Sequence, residues 1–267
     1  MENTEKIKID VPLMANLEAT GKKPEYLLWV GCSGAFDDRA KKITRAFVKL
    51  LAYLKIDYAY LGSEETCCGD PARRSGNEML YQMQALSIIE TLNLYDIKKI
   101  IAICPHCYNI FKNDYPDLGG NYEVIHHTTF LQELIEEGKL KLDSRVFEKN
   151  KITFHDPCYL GRCNNEYDAS RNILKAILSE KIEMPRNRSN ALCCGGGGGQ
   201  MFKEAEKGDK EIYEERTEEV LETGADIVAT ACPYCATMLT DGIKYKNKNE
   251  EVRNLDIAEI IVEAIGI

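Results

Sequence analysis

KIIAICPHC, residues 99–107, is an apolar run that stops at a cysteine, a proline and a second cysteine. DIVATACPYC, residues 226–235, does the same again. A short apolar run bounded by polar residues reads as a buried strand. The proline that follows suits the first turn of a helix, where its missing N–H costs nothing. Each stretch therefore predicts a strand that runs into a helix, with two thiols at the junction.

Outward from these stretches, ten of the eleven cysteines form two copies of one pattern. Copy one is Cys32, the pair Cys67-Cys68, then Cys104 and Cys107. Copy two is Cys158, the pair Cys193-Cys194, then Cys232 and Cys235. Cys32 and both paired cysteines recur 126 positions later, and Cys104 and Cys107 recur 128 positions later. Five thiols in one order at near-constant offset mark a tandem duplication of a soft-metal site. The pattern predicts halves at 26–145 and 146–267, after an N-terminal extension (1–25) expected to carry little structure of its own.

The surrounding sequence fits this frame. Residues 26–30 read as a strand and Asp37 or Asp38 as a cap. Ile43, Phe47, Leu50, Leu51 and Leu54 share one face of the next helix. Further strands are expected at 57–61, 99–103 and 122–125, with a helix over 78–92 and a last helix capped by Thr128. In the second half strands fall at 151–155 and 225–230. Ile173, Leu174, Ile177 and Leu178 line a helix, Ile173 and Ile177 matching Phe47 and Leu51. At the 128 offset Val252 aligns with Val124 and the cap Asp256 with Thr128. Strands alternating with amphipathic helices predict an α/β fold with mainly parallel sheets. Sites in such sheets form beyond the carboxyl ends of strands, where Cys32, Cys104, Cys158 and Cys232 fall.

Composition narrows the partners. The net charge of −9 argues against nucleic acid, which selects clustered Lys and Arg. No stretch is long and apolar enough for a signal core or a membrane span. The expected location is the cytoplasm, where patterned cysteines are metal or redox sites rather than disulfides.

Soft thiolates match iron in a sulfide core. The helix N-terminus after each CPxC cysteine favours the thiolate. Consecutive cysteines can share a site only across a sharp turn, which Gly69 and Gly195 permit. A cubane cluster or a zinc ion needs four thiolates, so the fifth is spare or belongs to an unusual cluster.

This arrangement, with GDPARRSGNE (69–78), FHDPCYLGR (154–162) and CCGGGGGQMF (193–202), resembles the CCG, or cysteine-rich, domain family. The catalytic B subunit of heterodisulfide reductase is its best-known type. The three stretches look most like the electron-transferring-flavoprotein:quinone reductase branch. The resemblance covers residues 26–265 and implies two Rossmann-like halves related by a pseudo-two-fold axis. It implies that each quintet holds a [4Fe-4S] cluster of noncubane type, with zinc at one site as the alternative. It also implies an iron–sulfur oxidoreductase subunit that passes electrons to a disulfide or quinone. The chain has no flavin, nicotinamide or ferredoxin-type cysteine motif. The donor is therefore expected to be a separate ferredoxin-like or flavoprotein subunit, membrane-bound in one arrangement, which would make this chain peripheral to the inner membrane. The competing readings are an electron relay without substrate and a zinc-bound scaffold.

Several residues remain. Cys163 has no counterpart and reads as a free thiol on a turn. The Gly195–Gly199 run lacks the Lys-Ser/Thr ending of a phosphate loop; it predicts close backbone approach to a cluster, or an opening that makes the second site the more accessible. Arg73 and Arg74 read as surface residues or as counter-charges for a cluster or an anionic substrate. His106 reads as solvated or as a hydrogen-bond donor to the cluster. His155 aligns with Trp29, which suggests packing or support behind the ligands. His126-His127 align with Asn254-Leu255. The acidic segment from Lys203 to Glu222 reads as a solvated helix.

Overall fold

A computed structural model describes residues 11–177, 181–204 and 207–267. The first half runs α1 (Met14–Glu18), β1 (Tyr26–Trp29), α2 (Gly31–Phe36), α3 (Asp38–Tyr53), β2 (Tyr58–Ala59), α4 (Asp70–Arg74), α5 (Glu78–Leu94), β3 (Lys99–Ala102), α6 (Pro105–Asn109), β4 (Glu123–His126) and α7 (His127–Glu136). The second runs β5 (Ile152–Phe154), α8 (Cys158–Asn164), α9 (Ala169–Ile177), β6 (Lys181–Ile182), α10 (Ile212–Glu222), β7 (Ile227–Thr230), α11 (Pro233–Tyr245), β8 (Arg253–Asp256) and α12 (Ile257–Ile265). Each half holds a four-stranded parallel sheet, ordered β2-β1-β3-β4 and β6-β5-β7-β8. The strand order is the same in both, as duplication requires. In each sheet the chain leaves the first strand to one side and returns on the other. That reversal opens a crevice at the carboxyl ends of β1 and β3, and of β5 and β7.

The helix pattern read from the sequence places the core. Ile43, Phe47, Leu50 and Leu51 of α3 are fully buried, as are Ile173, Leu174 and Ile177 of α9 to within 1%. Leu178 lies outside the described residues. These side chains join Leu131 of α7 and Ile260 and Ile261 of α12 in one cluster, which reaches Leu28 and Ile101 of the first sheet and Ile152 and Ile227 of the second. The two halves thus share a core. Arg39 ties them at the rim by donating to Glu259 Oε2 (2.6 Å) and to the Asn254 carbonyl (2.8 Å). Asp37 caps α3, accepting from the Ala40 N–H at 2.8 Å. Among the described residues no helix is long and apolar enough to cross a membrane.

Four local expectations are corrected. Residues 11–25 do carry structure: Met14 of α1 is fully buried against the first half, and Leu13 bridges to Tyr60. The fourth strand shifts by two more residues than the third. Ile100 pairs with Val124 while its counterpart Val228 pairs with Asn254, so Val124 corresponds to Asn254 and not to Val252. The counterpart of the cap Asp256 is therefore His126, whose ring, not Thr128, occupies the cap and accepts from the Thr128 N–H at 3.4 Å. The acidic segment is helical only over Ile212–Glu222, and Arg216, Thr217, Glu219 and Val220 of that helix are buried; residues 205–206 lie outside the described residues. Cys163 lies in the last turn of α8 and is exposed.

The contact between α10 and α11 is close. A Cβ on Gly242 would stand 2.0 Å from Thr217 Oγ1 and 3.0 Å from its Cβ, and Thr217 is fully buried. Gly242→Ala is expected to destabilise the fold by about 1–3 kcal/mol through overpacking, read as a lower urea midpoint with an unchanged slope.

Candidate metal centre

Strand ends deliver the thiols. Cys32 lies in the first turn of α2 after β1, and Cys158 begins α8 after β5. Cys104 and Cys232 are the extended residues just before α6 and α11, with Pro105 and Pro233 opening those helices. Cys67-Cys68 and Cys193-Cys194 lie in the loops that follow β2 and β6. The glycine after each pair is left-handed, Gly69 at φ 89° and Gly195 at φ 84°. A β-carbon is disfavoured there, and this turn lets adjacent cysteines face one site.

Each quintet is gathered. In the first set Cys68 Sγ lies 3.5 Å from Cys107 Sγ. Cys32 lies beside Cys67, Cys67 beside Cys68, and Cys107 beside Cys104. The second set repeats the chain: Cys158 to Cys193, Cys193 to Cys194, Cys194 to Cys235 and Cys235 to Cys232. Three thiols of each set are buried, and Cys32, Cys67, Cys158 and Cys193 are partly exposed, so neither set's sulfurs are the more open. The glycine loop does border a cleft of about 540 Å³, lined by Gly195, Met201, Ile212, Tyr213 and Met238.

The sets are not separate. Across the halves the sulfurs of Cys104 and Cys232 lie within 4.8 Å of each other. His106 sits between them, its Nδ1 3.5 Å from Cys104 Sγ and 4.0 Å from Cys232 Sγ. His106 is 5% exposed, so it is not solvated, and its Nε2 is buried without a hydrogen-bond partner among the described residues. Gly197 passes it so closely that a Cβ would lie 3.4 Å from Nε2.

Supporting groups fix these loops. Glu65 accepts from the backbone N–H groups of Val30 (3.1 Å) and Gly31 (2.5 Å), holding the Cys32 turn. Burial pushes its carboxyl up to about 7. Asp156 anchors the Cys158 turn through two bonds from Arg171 (2.6 and 2.8 Å) and one from the Arg188 N–H (2.7 Å). His155 Nδ1 accepts from Arg216 Nε at 3.0 Å. Burial, then the Arg216 cation, push this imidazole down to about 3, so it is neutral with its proton on Nε2. A ligand atom of His155 lies within 4.8 Å of those of Cys194 and Cys235. Trp29, its counterpart, has a buried indole N–H without a hydrogen-bond partner among the described residues.

The arginines are already matched. Arg73 pairs with Asp114 at 2.9 Å, and Arg74 with Asp70 (3.3 Å) and Asp114 (3.2 Å). The paired histidines are held by different neighbours: His126 Nδ1 meets Thr128 Oγ1 at 2.7 Å and His127 Nε2 meets Asp256 at 3.0 Å.

The donor chemistry fits a cationic soft-metal core. The neighbouring Cys107 and Cys67 hold Cys68 well below the usual thiol range, and Cys158 and Cys194 do the same for Cys193. The neighbouring Cys193, then burial, push Cys158 up, and Cys104 and Cys68, then burial, push Cys107 up. A few ionised sulfurs are thus sustained by protons on their neighbours. Only added positive charge would ionise all five.

Two sequence segments, residues 26–112 and 152–240, match the cysteine-rich domain known by the letters CCG. The chain belongs to this family. CCG relatives include the "EtfAB:quinone oxidoreductase" of Syntrophomonas wolfei, 44% identical over 93% of this chain and 35% of that protein. The "Probable iron-sulfur-binding oxidoreductase FadF" of Bacillus subtilis is 44% identical over 96% of this chain and 36% of its own length. A dihydromethanophenazine:CoB–CoM heterodisulfide reductase chain of Methanosarcina barkeri is 35% identical over 92% of this chain and 60% of its own length. The chain thus spans about a third of the first two relatives.

Within this CCG pair the ten cysteines were legible by spacing. The sequence did not reveal the contact between sets. His106 and Tyr234, the middle residues of the two CPxC elements, carry the signal only once the halves are known to face each other.

Proposed function

We propose that the chain is the cysteine-rich unit of an iron–sulfur oxidoreductase, with Cys32, Cys67, Cys68, Cys104 and Cys107 holding one [4Fe-4S] cluster and Cys158, Cys193, Cys194, Cys232 and Cys235 another. The meeting of two complete quintets at Cys104, His106 and Cys232 carries this reading. A fifth thiol in each favours the noncubane type over a cubane with a spare ligand. When bound, such clusters accept and release single electrons. The chain's residues hold the sulfurs, exclude water from three of each five, and leave the Cys32 and Cys158 sides partly open. The acceptor is a disulfide or a quinone, and the partly exposed Cys32, Cys67, Cys158 and Cys193 support its approach on those sides. Electrons come from a ferredoxin-like or flavoprotein partner, membrane-bound in one arrangement, a reading supported by the names and greater lengths of the relatives.

Anaerobic purification with iron and sulfide analysis tests this. About eight irons per chain are expected, the content of two [4Fe-4S] clusters. Paramagnetic resonance reports cluster type. Turnover of a small disulfide or a menaquinone analogue with a chemical electron donor separates an enzyme from a relay. A colourless zinc protein would overturn the reading.

A further inference from the structure

We infer that the middle residues of the two CPxC elements are exchanged between the sites: Tyr234, carried by the second half, donates a hydrogen bond to Cys32 of the first set, and His106, carried by the first half, contacts both sets. The inference rests on the two-cluster reading and assigns two positioning residues within it.

The geometry is direct. Tyr234 lies between Cys232 and Cys235 in sequence, yet its hydroxyl reaches Cys32 Sγ at 3.5 Å. His106 lies between Cys104 and Cys107, yet its Nδ1 is 4.0 Å from Cys232 Sγ as well as 3.5 Å from Cys104. The two rings are in contact, with centroids 4.7 Å apart at 68°. Both residues are only 5% exposed. Tyr159, the residue after Cys158, also packs on His106, with ring centroids 4.2 Å apart.

Chemistry fixes the direction of the bond. A sulfur that ligates metal has lost its proton, so the phenol must donate. Donation to a ligating sulfur withdraws electron density and favours the reduced cluster, and hydrogen bonds to the sulfurs are among the determinants of cluster potential. Each half therefore carries a group that adjusts the other's site. A one-electron change at one set is sensed by a side chain that belongs to the other.

The test uses Tyr234→Phe in the anaerobically purified full chain. Redox titration followed by paramagnetic resonance is read against a Cys158→Ser background, which identifies the first set's signal. The first set's reduction equilibrium is expected to shift about tenfold toward the oxidised form, ~59 mV for one electron. The second set, in whose CPYC the substitution lies, is expected to stay in place. A shift confined to the second set, or no shift, overturns the inference. His106→Phe is expected to move both signals, and movement of the first alone overturns its bridging role. A readout independent of iron accompanies these. In protein stripped of metal, Tyr234→Phe should change the rate of Cys32 alkylation several-fold, mapped by peptide mass, and leave Cys158 unchanged. Equal rates in wild type and variant would refute the bond. Loss of iron from wild-type protein would refute the cluster reading, and the alkylation result would then decide the contact alone.

Discussion

Cys194→Ser is expected to remove iron from the second set and leave the first intact. Cys194 is 3% exposed and lies between Cys193 and Cys235 in the chain of sulfurs. Serine keeps the size but replaces a soft thiolate with a hard hydroxyl that iron–sulfur cores bind poorly. The iron content should fall by about half, with sulfide following. Cys68→Ser should give the mirror result, since Cys68 occupies the same place in the first set, 3.5 Å from Cys107. The double variant should be colourless. Iron and sulfide quantification with paramagnetic resonance decides it. Full iron in Cys194→Ser would show that the second cysteine of the pair is the spare thiol, and the site would be a four-thiolate cubane.

The duplication was legible because it rests on residue identity at fixed spacing. Strand positions followed, since apolar runs ending at cysteine are buried in parallel sheets whatever surrounds them. The two-residue slip between β4 and β8 was not legible. The turn before β4 carries no cysteine to mark the register, so the offset of the third strand was carried forward and placed Thr128 opposite Asp256. The sheet pairs Ala102 with His126 and Thr230 with Asp256, which makes His126 the true counterpart. His126-His127 then gain a meaning that sequence could not give: His127 crosses the interface to Asp256.

Side chains at the candidate centre divide the same way. Residues that act within one half were readable in kind: the turn glycines and the helix-opening prolines. Residues that act between halves were not. Nothing in CPHC or CPYC says which neighbour its middle residue meets, because that depends on how two sheets pack across α3, α7, α9 and α12. The acidic segment failed for a related reason. Its composition is that of a solvated face, but Arg216 and Glu219 turn inward as a pair, with Arg216 Nη1 donating to Glu219 Oε2 at 2.7 Å.

That pair carries the second large effect. Arg216 is fully buried, donates to Glu219 and to the Arg186 carbonyl, and holds His155 through Nδ1. Arg216→Leu leaves the Glu219 carboxylate buried with only Arg186 opposite, and removing one partner of a buried ion pair costs about 3–5 kcal/mol. Arg216→Leu combined with Glu219→Leu should recover most of that loss, because an apolar pair of similar volume is often as stable as a buried ionic one. Urea unfolding of wild type, single and double variants measures it, and equal stability of single and double variants would deny the pair its role. Stability and site then separate. Both variants lose the donor to His155 Nδ1, so in both the imidazole proton is free to leave Nε2, the nitrogen Arg216 had kept protonated. The resonance signal of the second set should therefore change in the double variant even where its stability has returned, and the first set's signal should not. A restored fold with an unaltered second signal would reduce Arg216 to packing.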